Sequence, residues 1–193
     1  MKGHIERTVT LSAGAILALA LSLALSWGLD RLLPPDTWPT GALPLIFLMH
    51  GVTVIAAWLY RWASVLYIAP GLVIGGLLFG QGLPVLDPTS VWVVAATSLV
   101  VAPLGFAMMD WAGIGCSPSQ RLDRKCWRVL VLAGLKASFF GYLLRAGLAK
   151  LTAAEAVLDA AHAAQTMLSE MLGLMTLLVL LMLVFRWGRA VAG

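Results

Sequence analysis

The sequence predicts an all-α membrane protein of six transmembrane helices, the last extended beyond the outer membrane face, and three observations predict it. Of its 193 residues, 61% are hydrophobic and only 11% are charged, with a mean hydropathy of +0.93; a soluble domain carries roughly a quarter charged residues. Apolar runs recur along the chain at about 20 residues each, the length at which a helix crosses a hydrocarbon core of about 30 Å. The basic residues gather at the ends of those runs and are distributed unevenly between them. A single polytopic domain over residues 1–193 is expected, with no soluble catalytic module before, between or after the apolar runs. The formal charge of +4 is not a nucleic-acid footprint, because most of the basic residues flank spans and report topology. The expected partners are the lipid bilayer and other membrane proteins.

The first span is about Thr8 to Leu29, preceded by MKGHIER. A basic start before an apolar run also describes a signal peptide, but about 20 apolar residues exceed the 7–15 of a signal core, so an uncleaved helix is expected. The connector DRLLPPDTWPT follows, where Pro34, Pro35 and Pro39 oppose helix and Trp38 suits the headgroup level. The second span, about Gly41 to Tyr60, and the third, about Ala63 to Gly80, form a tight hairpin turned at Arg61, where the charge marks a membrane face. The third carries Pro70-Gly71 and two G-x-x-x-G spacings, Gly71 to Gly75 and Gly76 to Gly80, which permit close helix approach.

QGLPVLDPTS then reads as a turn without basic residues. The fourth span, about Val91 to Met109, contains Pro103 and ends at Asp110-Trp111. The loop GIGCSPSQRLDRKCWR leads to the fifth span, about Trp127 to Leu148, and the sixth covers about Met167 to Phe185, closed by Arg186 and Arg189. Between these last two, Thr152 to Gln165 is alanine-rich, and Thr152 with Glu155 has capping-box spacing. One continuous helix from Ala153 to about Phe185 is expected, roughly 50 Å long and projecting from the bilayer on the outer side.

Orientation follows from the basic residues. With both termini in the cytoplasm of a bacterial inner membrane, Lys2, Arg7, Arg61, Arg121, Arg124, Lys125, Arg128, Arg186 and Arg189 lie inside, against Arg31, Arg145 and Lys150 outside. Cys116 and Cys126 then fall in a cytoplasmic loop. Their spacing matches no zinc motif, and the compartment keeps thiols reduced, so two ordinary loop cysteines are expected rather than metal or disulfide chemistry.

Ionisable residues inside spans are costly and point to function by default. His50 in the second span and Lys136 in the fifth each lie about nine residues from a face, roughly 13 Å deep at 1.5 Å per residue. One reading joins them, with Glu170, in a ligand or proton pathway; the other leaves a histidine bonded to a neighbouring helix and a lysine reaching for the interface. Glu155, Asp159, His162, Thr166 and Glu170 share one face of the last helix. They read either as a cation-holding track or, for the first three, as a wetted surface; no metal or cofactor is expected. Arg145 lies at a depth similar to that of Glu170, so an Arg145–Glu170 ion pair is expected. Arg61 and Asp110 pair by the same logic at the inner edge, both pairs serving structure.

The chain carries no G-x-S-x-G, H-E-x-x-H, P-loop or dinucleotide fingerprint, and no enzyme is expected. From Met49 to Pro70, the order of His50-Gly51, an apolar helix ending in Tyr60-Arg61-Trp62, and a span carrying Pro70-Gly71 resembles bacterial membrane-associated sensor domains of the MASE type. The resemblance implies a multi-helix module associated with signalling and transfers no specific site. Two functions follow as expectations: a non-catalytic sensor-like or accessory subunit, or a small-molecule transporter or its membrane-embedded substrate-binding subunit. A common cavity shared by His50, Lys136 and Glu170 favours the transporter, and separately paired groups favour the accessory subunit.

Overall fold

The computed structural model describes residues 2–32, 46–79, 88–116, 124–151 and 160–192, and these form six α-helices. They are α1 (Lys2–Leu32), α2 (Leu48–Tyr60), α3 (Ala63–Phe79), α4 (Pro88–Trp111), α5 (Arg124–Leu151) and α6 (Ala160–Ala192). Three contain stretches long and apolar enough to cross a membrane: Gly3–Leu25, Cys126–Leu148 and Ala163–Val184. The apolar stretches Leu48–Tyr60, Ala63–Leu78 and Ala96–Trp111 are shorter. The sequence expectation of six full spans therefore reduces here to six helices, three of them of spanning length.

The ends of several helices meet at one face. His4 Nδ1 lies 2.8 Å from the Tyr67 hydroxyl, and the Arg7 guanidinium sits 5.6 Å from the centre of the Tyr60 ring. Those contacts tie the start of α1 to the α2–α3 hairpin. Arg61 then reaches Asp110 at the end of α4. The hairpin turns on Arg61 itself, whose φ of 53° is the left-handed region that a non-glycine residue rarely occupies. Its carbonyl accepts hydrogen bonds from the Ser64 backbone N–H and hydroxyl, which secures the first turn of α3.

Helix α3 carries Pro70 in its interior, where the ring opposes regular helix bonding. Ser12 of α1 enters the disturbed turn: its hydroxyl donates to the Tyr67 carbonyl at 2.9 Å and accepts from the Gly71 N–H at 3.1 Å. Tyr67 and Gly71 are the i and i+4 groups that an undisturbed helix would join directly, so one serine satisfies both. The approach needs glycine, since a Cβ on Gly71 would stand 2.5 Å from the Ser12 carbonyl oxygen. Gly75 similarly faces Leu19, so the first G-x-x-x-G spacing lies against α1; Gly80 of the second lies outside the described residues.

Several boundaries differ from expectation. Helix α1 begins at Lys2, taking in the polar KGHIER stretch. Helix α6 is continuous from Ala160 and runs past Arg186 and Arg189 to Ala192; Gly188 does not stop it. Thr152, Glu155 and Asp159 lie outside the described residues, as do the first residues of the predicted helix extension.

The largest difference is α2. It starts at Leu48 rather than Gly41 and has 13 residues, about 20 Å at 1.5 Å per residue, too short for a core of about 30 Å.

Helix α4 ends in a Schellman motif at Gly113 (φ 72°), with Gly113 N–H donating to Asp110 O at 3.1 Å and Ile114 N–H to Met109 O at 2.9 Å. The reversal carries Cys116 back to Cys126 in the first turn of α5, and the two form a disulfide with Cα atoms 5.5 Å apart. This corrects the expectation of two unpaired loop cysteines. A disulfide is set by Cα separation and Cβ direction, which spacing in sequence does not reveal.

Candidate functional site

The start of α2 is enclosed on all sides. Phe47, Leu48, Met49 and His50 are buried, so the first turn of this helix, with its unpaired backbone N–H groups, lies away from water. Two other helices and the Phe47 carbonyl supply acceptors here. The Ser22 hydroxyl of α1 accepts from Leu48 N–H at 2.9 Å and itself donates to Ala18 O at 2.7 Å. Phe47 N–H donates to the Ser169 carbonyl of α6 at 3.2 Å, and His50 N–H to Phe47 O at 3.2 Å. Gly173 makes room on α6, where any Cβ would collide with the Phe47 carbonyl. Non-helical backbone persists away from water only where protein satisfies it, and Ser22, Ser169 and Gly173 provide that surrounding.

Around this helix start the structure gathers three ionisable side chains from three helices. Glu170 of α6 is 2% exposed, and its Oε1 accepts from Arg145 Nη2 of α5 at 3.1 Å. Its Oε2 is buried without a hydrogen-bond partner among the described residues and stands 3.8 Å from Nδ1 of His50. On its other side, His50 Nε2 is 3.2 Å from the Gly134 carbonyl oxygen and 3.2 Å from the Ser138 hydroxyl, both on α5. His50, Ser138 and Glu170 are all buried, and Arg145 is 14% exposed. The cluster thus ties α2, α5 and α6 together through a carboxylate shared between a guanidinium and an imidazole.

Of the three residues read as a pathway, His50 and Glu170 meet and Lys136 does not join them. Lys136 lies two positions from both Gly134 and Ser138, about 200° around the helix from either. Among the described residues no ion pair includes it. Of the polar face proposed for α6, Thr166 and Glu170 are buried while the position of the His162 side chain lies outside the described ones. No group of three potential metal ligands occurs among the described residues.

Arg61 and Asp110 make a second, shallower cluster. Arg61 Nη2 lies 3.3 Å from Asp110 Oδ1 and 3.3 Å from the Cys116 carbonyl oxygen, and its guanidinium covers the Phe106 ring at 5.1 Å. The side chains are 33% and 45% exposed.

Sequence reading missed Ser138, Gly134 and Ser22. Each is a small residue in an apolar run, and its role depends on which helix packs against it. Comparison of the chain with protein families, curated proteins and solved structures finds no match.

Proposed function

We propose that this chain is a small non-catalytic polytopic membrane protein, a sensor-like or accessory subunit that packs against other membrane proteins. In this reading the chain makes six passes of a bacterial inner membrane, with α2 too short to make its pass by itself, both termini are cytoplasmic, and the start of α6 extends beyond the outer face. The observation that carries it is the Arg145–Glu170 pair at 3.1 Å. These two well-buried charges are spent on each other and on joining helices, where a transport pathway would hold them ready for cargo. The MASE-type resemblance of Met49 to Pro70 agrees with a sensing role. Photo-crosslinking in cells from the exposed α1 positions Val9, Leu17 and Leu21 tests it. A discrete adduct with a second membrane protein is expected, and adducts with lipid alone contradict the accessory role.

The transporter remains the second reading, favoured by one observation. Helix α2 begins inside the bundle beside a carboxylate oxygen that has no hydrogen-bond partner among the described residues, the arrangement by which discontinuous helices build substrate sites. Substrate-dependent stabilisation that Glu170→Gln abolishes would support it.

The orientation has its own test, because two facts oppose each other. The basic asymmetry places the Cys116 loop in the cytoplasm, whereas disulfides persist in oxidising compartments. With cytoplasmic termini, an impermeant maleimide labels Cys116 and Cys126 only after the cells are opened and the disulfide is reduced. Labelling of intact cells from outside after mild reduction reverses the topology.

A further inference from the structure

The last turns of α6 leave the bundle. Leu174 and Leu178 are still buried, whereas Val179, Leu180, Met182, Leu183, Val184 and Trp187 are all exposed. At 3.6 residues per turn these exposed positions cover more than half of the helix circumference. One part of this surface is shaped: Leu183, Val184, Arg186 and Trp187 line a groove of about 430 Å³. Their spacing keeps them on one side of α6, with the two aliphatic residues about one turn before the arginine and the indole. The apolar stretch Ala163–Val184 ends between the two pairs. In a membrane the groove therefore crosses the level at which hydrocarbon gives way to headgroups, where tryptophan and arginine are favoured.

The packing of α2 on α6 shows which end of the bundle this is. Gly173 lies against Phe47, and Gly51 lies against Leu174 and Leu177, so the two helices run in the same direction. About nine residues further on, roughly 13 Å at the helical rise, α2 has reached Tyr60 and α6 has reached Arg186. Arg186 thus belongs to the end where Arg7 and Arg61 stand. Those two are occupied, Arg7 by the Tyr60 ring and Arg61 by Asp110. Arg186 is exposed and has no ion-pair partner among the described residues. No Asp or Glu follows Glu170 in the sequence.

We infer that this groove binds one anionic phospholipid. The Arg186 guanidinium offers a planar fork of donors that matches two phosphate oxygens at once. The Trp187 indole supplies an apolar face and one N–H at the same level, and Leu183 and Val184 receive the first carbons of an acyl chain. An anionic headgroup is preferred to a zwitterionic one, because a quaternary ammonium would meet the same positive end of the bundle. Arg186 also complements the C-terminal dipole of α6, but that role requires neither the groove nor the indole. The inference rests on the reading of the chain as a membrane protein, and stands with either the accessory or the transport role.

The experiment is native mass spectrometry of the full-length protein released from detergent, titrated with phosphatidylglycerol or with phosphatidylcholine of the same acyl chains. One phosphatidylglycerol should be retained about fivefold more tightly than phosphatidylcholine, the contribution of one arginine at an anionic surface. Arg186→Gln should remove that preference, while Arg128→Gln, the same loss of charge at another exposed position, leaves it in place. Excess inorganic phosphate should not displace the lipid, because it lacks the chain that Leu183 and Val184 hold; displacement would assign the groove to free phosphate and overturn the inference. Equal retention of the two lipids, equal losses in the two variants, or a dimer where the lipid-bound monomer is expected each overturn it as well. If Arg186→Gln does not fold, the parent's choice between the two lipids decides alone. Release of the chain from membranes by alkaline carbonate is a separate result: it removes the membrane reading itself, and the site with it.

Discussion

Two arginine–carboxylate pairs stand in opposite surroundings in this protein. Arg61 and Asp110 meet at 3.3 Å with exposures of 33% and 45%, while Arg145 and Glu170 meet at 3.1 Å with exposures of 14% and 2%. The distances are nearly equal; the environment is not. At the exposed end, water and salt screen the pair, and its arginine is also held by a carbonyl and an aromatic ring, so losing the carboxylate costs little. In the interior no solvent replaces a missing partner, and each group is held there by the other. Chemical identity thus says little about what a pair contributes, and burial says most.

Breaking each region sharpens that contrast. The largest effect is expected for Glu170→Gln, which strands the Arg145 guanidinium and removes the anion beside His50. Loss of one partner of a buried pair typically costs about 3–5 kcal/mol, read as a lower unfolding temperature in detergent. Gly173→Ala comes next. Its Cβ would collide with the Phe47 carbonyl, and the forced backbone shift should cost about 1–3 kcal/mol; thermal unfolding of the variant within error of the parent would show that the α2 start does not pack as described. The smallest effect is expected for Asp110→Asn, about 0.2–1 kcal/mol in low salt and less as salt is added. A loss as large as that of Glu170→Gln would remove the distinction between the two regions.

What the sequence made legible follows the same division. Helical spans are written in continuous runs of apolar residues, and all six helices fall on them. The Arg145–Glu170 proximity was also readable, because consecutive antiparallel helices bring residues at equal depth together and neither charge is stable alone. The start of α2 was not readable. Residues 41–47 are as apolar as those that follow, and the helix begins at Leu48 because Ser22, 26 positions away, caps it and Gly173 admits its preceding carbonyl. The mistaken grouping of Lys136 with His50 has a related cause. Counting residues along a span does not give rotation about the α5 axis, which decides the neighbour, and Gly134 and Ser138, not Lys136, occupy the face toward α2. The cysteines were judged by spacing and compartment, whereas the Schellman turn at Gly113 decides that they meet.

The most direct test of the central claim, that the interior charges are coupled and hold the bundle together, is a double-mutant cycle on Arg145→Leu and Glu170→Leu followed by thermal unfolding in detergent. Each single change should be strongly destabilising, and the double change should recover most of the loss, because an apolar pair suits the interior and leaves no charge stranded. A double variant as unstable as the two single losses summed would contradict the account and leave Glu170 free for a transported ligand.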